Sequence, residues 1–132
     1  MKRTFNGSCH CGKVRLEADF DLDDGSFKCN CSSCVKNRAW LAPVQPENFR
    51  LIAGEDDLTE YKSTRTLQYF CRACGVRLFG RAQDVAADGS FYNVNLGCLD
   101  DVDPAELAAM PVQYLDGRRD DWASTPDEFR HL

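Results

Sequence analysis

Seven of the eight cysteines fall into three tight groups, Cys9-His10-Cys11, Cys29-Asn30-Cys31-Ser32-Ser33-Cys34 and Cys71-Arg72-Ala73-Cys74. Thiolates at such spacings are metal ligands, and two plus three plus two sulfurs suit a pair of zinc ions. Four sulfurs close a tetrahedral structural site, whereas three leave one position for water or a substrate thiol, the requirement of a catalytic zinc. The count therefore points to an enzyme.

Disulfides are the competing use of an even number of cysteines, and the spacing opposes them. Cys9 and Cys11, like Cys29 and Cys31, are separated by one residue, so in an extended segment both thiols project to one face and converge on one point. A reducing compartment would also keep them as thiols. Gly12 and Gly75 follow their cysteine pairs and permit tight turns that aim backbone amides at sulfur. Spacing alone leaves the grouping open: the triplet could take Cys98 as a fourth ligand, or the pairs could be exchanged between sites. Cys98, between Gly97 and Leu99, reads more simply as a small buried apolar residue. His10 alternates with two presumed ligands and should point away from their metal. Ser32 and Ser33 shape the metal loop, since no general base stands nearby to make either a nucleophile.

The elements that must position these groups are mostly strands. Val14, Leu16, Ala18 and Phe20 alternate with Arg15, Glu17 and Asp19, the pattern of a half-buried strand directly after the first pair. Further strands are expected over residues 39–44, 49–52, 58–62, 66–70, 76–81 and 91–96, separated by turn-rich or charged stretches. The Cys71/Cys74 pair would join two of them. Helix signals are confined to the C-terminal quarter, where Asp103 can cap and Pro104 can open a short helix that Pro111 stops. Thr125 and Pro126 repeat that start signal. Trp40, Trp122, Phe70, Phe79 and Phe91 are expected to build core rather than a substrate wall.

The chain has 132 residues, 43% of them hydrophobic and 28% charged, which fits a single domain, read here as residues 4–125 followed by a tail at 126–132. His131 belongs to that tail. The net charge of −5 argues against a nucleic-acid partner, and Lys36, Arg38, Arg118 and Arg119 read as ordinary solvated charges. No apolar run approaches membrane-spanning length. No secretory signal precedes the first cysteines, which favours the cytoplasm.

The order S-C-H-C-G, C-N-C-S-S-C, F-R-L-I-A-G-E-D-D-L-T-E-Y, F-C-R-A-C-G-V-R-L-F and N-V-N-L-G-C-L-D-D resembles the glutathione-dependent formaldehyde-activating enzyme family, which also includes centromere protein V. The likeness runs from about Gly7 to Trp122. It implies a mainly β, Mss4-like zinc-bound fold with short C-terminal helices. It further implies a structural zinc on Cys9, Cys11, Cys71 and Cys74 and a catalytic zinc on Cys29, Cys31 and Cys34. The activity so implied is that of a carbon–sulfur lyase joining a glutathione-like thiol to an aldehyde, formaldehyde in the family's named reaction. The alternative class is a non-catalytic zinc-stabilised interaction module in which Cys98 or another group closes the second site. The chain departs from the family pattern at Gln113, where a histidine is frequent, at Arg77, where a proline is common, and at Ala39, near a usual glycine.

Overall fold

In the computed structural model, which describes residues 1–63, 65–82 and 91–132, the described residues form ten strands, seven of them on the segments expected from the sequence. They are β1 (Arg3–Ser8), β2 (Arg15–Phe20), β3 (Ser26–Cys29), β4 (Leu41–Val44), β5 (Phe49–Ala53), β6 (Leu58–Lys62), β7 (Thr66–Cys71), β8 (Arg77–Ala82), β9 (Tyr92–Asn95) and β10 (Val112–Leu115). Two short helices accompany them, α1 (Ser32–Asn37) and α2 (Pro104–Ala109). β1, β2 and β5 form a three-stranded antiparallel sheet. The remaining strands form a second sheet in the order β10-β3-β4-β9-β8-β7-β6, antiparallel except for the β10–β3 pair. The mainly β expectation holds.

The core lies where the two sheets face each other. Val14, Leu16, Ala18 and Phe20 are all buried, as their alternation requires, and Phe5 packs on Phe20 with ring centroids 4.6 Å apart. From the large sheet, the cross-strand neighbours Phe79, Val94 and Ala42 meet them. One step along the strands the side chains point the other way. There Gln68, Gly80, Asn93 and Pro43 form a second cross-strand row, on the face turned from the core.

A register shift interrupts the β7–β8 ladder: Tyr69 pairs with Phe79, and Phe70 with Arg77, so Leu78 is the extra residue of a bulge. Leu78 and Phe79 are consequently both in the core although adjacent in sequence. Arg77 is thereby re-aimed relative to the alternation of an unbroken strand.

The sequence reading missed β1, β3, β10 and α1. Helix α1 begins within the cysteine triplet and lacks ordinary signals. Its N-cap is Cys31, whose sulfur accepts from the Cys34 amide at 3.4 Å, and its C-cap is Arg38 at φ 53 rather than a glycine. Asp103 does cap α2, accepting from the Ala105 amide at 2.8 Å. The start signal at Thr125 and Pro126 opens no helix, because no apolar periodic run follows it; turns occupy that stretch, with Phe129 on Tyr114 and Arg38 donating to the His131 carbonyl at 2.7 Å. Among the described residues, no helix is long and apolar enough to cross a membrane.

On the outer side of the small sheet, Arg50 of β5 grips both carboxylate oxygens of Asp19, at 2.8 and 3.0 Å, and Thr4 donates to the same group. Arg50 first and Thr4 second hold the Asp19 carboxyl down at about 2. A depressed folded pKa gives stability that is present above the unfolded carboxylate value near 4 and is lost as pH falls toward 2. Urea unfolding of wild type and Asp19→Asn should therefore show wild type the more stable at pH 6, with the difference closing between pH 4 and pH 2.

Candidate metal centres and cavity

The two outer cysteine pairs occupy matching turns. Cys9 accepts from the Gly12 amide and donates to the Val14 carbonyl; Cys71 accepts from Gly75 and donates to Val76 through the same backbone groups. Gly12 and Gly75 both stand at φ +79, a conformation that L side chains rarely adopt, which explains a glycine after each pair. The turns face each other across sixty residues of chain and bring the sulfurs of Cys9, Cys11, Cys71 and Cys74 within 4.8 Å of one another. Cys11 lies 3.6 Å from both Cys9 and Cys71. Backbone amides support the charge of thiolates here: the Val14 amide donates to the Cys9 sulfur at 3.3 Å. Amides of Cys11 and Val76 lower the Cys74 thiol to about 6.

Cys29, Cys31 and Cys34 form a second set, again within 4.8 Å. Cys29 ends β3, Cys31 caps α1 and Cys34 sits in its first turn, so a strand end and a helix start supply all three. Amides of Cys31 and Cys34 donate to the sulfurs of Cys29 and Cys31, each at 3.4 Å. Hydrogen bonding from Cys29 and then Cys34 pulls the Cys31 thiol down to about 2, while Cys29 and Cys31 push Cys34 far up. Thiols this close oppose one another's ionisation, and full ionisation requires a cation between them. Two convergent groups of free thiols, without disulfides, are the donor set of a thiophilic metal such as zinc.

The triplet is clamped by the chain that follows β10. The parallel pairing sets Leu115 beside Cys29, and the Asn30 amide donates to the Leu115 carbonyl at 3.1 Å. The buried Asn30 side chain donates to Asp116 at 2.9 Å and accepts from the Arg118 amide at 2.9 Å. Gly117 then passes so close that a Cβ on it would stand 2.4 Å from the Cys29 sulfur.

This arrangement walls a cavity of about 750 Å³. Cys29, Cys31 and Cys34 line it; the four-sulfur set does not. Its floor is the outward row of the large sheet, with Gln68, Asn93 and Pro43, and Phe27, Leu41 and Leu115 add apolar wall. Arg65, Arg77 and Arg118 make the lining cationic, offset by Asp120, which pairs with Arg65 at 2.8 Å. Arg65 also covers the Trp122 ring at 4.6 Å.

All seven expected ligands are brought together in two groups. Cys98 belongs to neither: it is buried, donates to the Arg77 carbonyl at 3.3 Å, and burial pushes its thiol up to about 12. Asp100, Cys9 and Cys74 add to that rise, which sets Cys98 toward the four-sulfur side rather than the triplet. His10 is exposed, as its alternation requires. Trp122 and Phe91 correct the expectation of core, since both line the cavity; Phe79 is in the core. Arg118 likewise is a cavity residue rather than an ordinary surface charge. Gln113 is exposed and outside the cavity lining, so the residue type there cannot act on a group held inside. Sequence reasoning did not single out Asn30, Gln68 or Asn93; polar residues inside otherwise apolar strands, as in Tyr92-Asn93-Val94, were the available signal.

The profile of the family described as glutathione-dependent formaldehyde-activating enzyme matches residues 4–116. Among solved structures, a Rhodobacter sphaeroides protein superposes with a TM-score of 0.66 at 29% sequence identity, over 82% of this chain and 99% of that one.

The two centres should separate on mutation. With a thiophilic metal such as zinc supplied, Cys71→Ser should lower the metal bound by one ion per chain and, because that set ties two distant turns, lower unfolding free energy by on the order of 3 kcal/mol or more. Gly117→Ala should leave metal binding at the four-sulfur set unchanged and weaken the triplet's metal affinity roughly 10- to 100-fold. Chromophoric chelator titration with parallel thermal melts reads both.

Proposed function

The chain belongs to the glutathione-dependent formaldehyde-activating enzyme family, and from that premise we propose that it is a zinc-dependent carbon–sulfur lyase acting on thiol–aldehyde adducts. Its substrates in this reading are a glutathione-like thiol and formaldehyde or a similarly small aldehyde. The observation that carries the reading is the asymmetry of the two cysteine sets: three sulfurs open onto a cavity and four lie away from it.

In this assignment Cys9, Cys11, Cys71 and Cys74 hold a structural zinc, and Cys29, Cys31 and Cys34 hold a catalytic one. When bound to three cysteines, zinc supplies a position at which a thiol is kept deprotonated near neutral pH. The chain's own contribution is placement. Asn30 and Gly117 hold the triplet against the wall, so its sulfurs keep their spacing as substrate exchanges. Apolar Phe27, Leu41 and Leu115 thin out water around the reacting sulfur. Cationic Arg65 and Arg118 suit a thiol that carries carboxylates, as glutathione does. A reducing cytoplasm is the compartment in which both the free thiols and glutathione would persist.

The competing module reading requires the triplet to be closed by a fourth protein ligand. Cys98, its reserve ligand, is occupied with the Arg77 carbonyl on the other side.

Cys31→Ser should retain one zinc and an unchanged fold while the catalysed rate of adduct formation between glutathione and formaldehyde, read by NMR exchange, falls at least about 100-fold. A wild-type rate in a variant with one zinc would refute the lyase assignment.

A further inference from the structure

Three buried side-chain polar atoms lack a hydrogen-bond partner among the described residues: Nε and Nη1 of Arg77 and Oδ1 of Asn93. Buried donors and acceptors left unpaired are costly, and a native site that keeps them has a use for them. Here all three atoms belong to residues of one cavity, the one that the Cys29, Cys31 and Cys34 sulfurs also line.

The two side chains are neighbours by construction of the sheet. Asn93 of β9 stands directly opposite Gly80 of β8, so the space above Gly80 is the space beside Asn93. Arg77 fills it: its Nη2 lies 3.2 Å from where a Cβ on Gly80 would be. The bulge at Leu78 is what turns Arg77 to this face, and the missing side chain of Gly80 is what gives the guanidinium room. The guanidinium also lies in the field of the triplet, since Cys34 and then Cys31 oppose the fall in its pKa that burial causes.

We infer that Arg77 and Asn93 bind the oxygen of the aldehyde carbon, an assignment that rests on the lyase reading above. The pairing pattern selects this group. A carbinol oxygen accepts from Arg77 and donates its hydrogen to Asn93 Oδ1, whereas a carboxylate has no hydrogen for Asn93 and an ammonium group is repelled by Arg77. In adduct formation the thiolate lone pair forms the carbon–sulfur bond and the carbonyl π pair moves onto oxygen. Arg77 stabilises the resulting alkoxide by donation, and the alkoxide takes a proton from water, replacing the one the thiol gave to water on ionising. One thiol and one aldehyde become one hydroxyl-bearing thioether, with no change of oxidation state. Asn93 then holds the hydroxyl.

The test compares two small thiols, ethanethiol and 2-mercaptoethanol, titrated calorimetrically into zinc-loaded wild type, Arg77→Met and Asn93→Ala. Wild type should favour the hydroxyl-bearing thiol by roughly five- to tenfold. In each variant that preference should vanish, with ethanethiol affinity and two zinc ions per chain retained. The turnover number for glutathione and formaldehyde should fall roughly 10- to 100-fold with an unchanged KM for glutathione. Asn93→Ala carries the test by itself should Arg77→Met lose zinc. Equal affinities in wild type, a preference that survives Asn93→Ala, or a parallel loss of both thiols in that variant would overturn the oxygen site while leaving the lyase reading intact. Failure of both thiols to bind wild type would overturn both.

Discussion

Sulfur atoms held within 4.8 Å of one another cannot all carry charge unless a cation sits among them, and this electrostatic demand organises both ends of the molecule. In the four-sulfur set it makes two turns, at residues 9–12 and 71–75, into parts of one site, tying the small sheet to the large one. In the triplet it sets the thiols against one another, with Cys31 drawn down and Cys34 driven up. The free energy of ionising the remaining thiols is available only when metal binds. A small β protein with a modest core thereby gains two convergent thiol clusters from one residue type, one joining distant turns and one lining a cavity.

The contrast between the cluster that lines the cavity and the one that lies away from it follows from the two faces of the large sheet. Side chains alternate along each strand, so one row, Phe79, Val94 and Ala42, builds core, and the next, Gln68, Gly80, Asn93 and Pro43, floors the cavity. The bulge at Leu78 breaks the alternation once. It keeps Leu78 in the core and sends Arg77 to the cavity, so a cation stands beside the triplet without costing a core position.

Much of the site was legible because ligand chemistry is local. C-x-C and C-x-x-C spacings bring sulfurs together through turns that need only a glycine at positive φ, and the Val14 to Phe20 alternation declares its buried face over seven residues. Helix α1 was hidden for an equally local reason: a cysteine caps it, an arginine ends it, and at six residues it is too short for an apolar stripe. Trp122 and Phe91 were misjudged because an aromatic side chain carries no mark of which side of a wall it will line.

From sequence came the metal-binding character of seven cysteines, the β-rich class and the capped helix at Asp103, since each depends on residues within a few positions of one another. Spacing left open which cysteines share a site, the resemblance implied the grouping, and the tertiary structure brings those same sulfurs together, with Cys98 apart and the triplet rather than the quartet opening onto a cavity. Those outcomes depend on strand register, on the parallel pairing that lays Gly117 against Cys29, and on one bulge. Register is set by cooperative packing over the whole sheet, and no short stretch of chain encodes it.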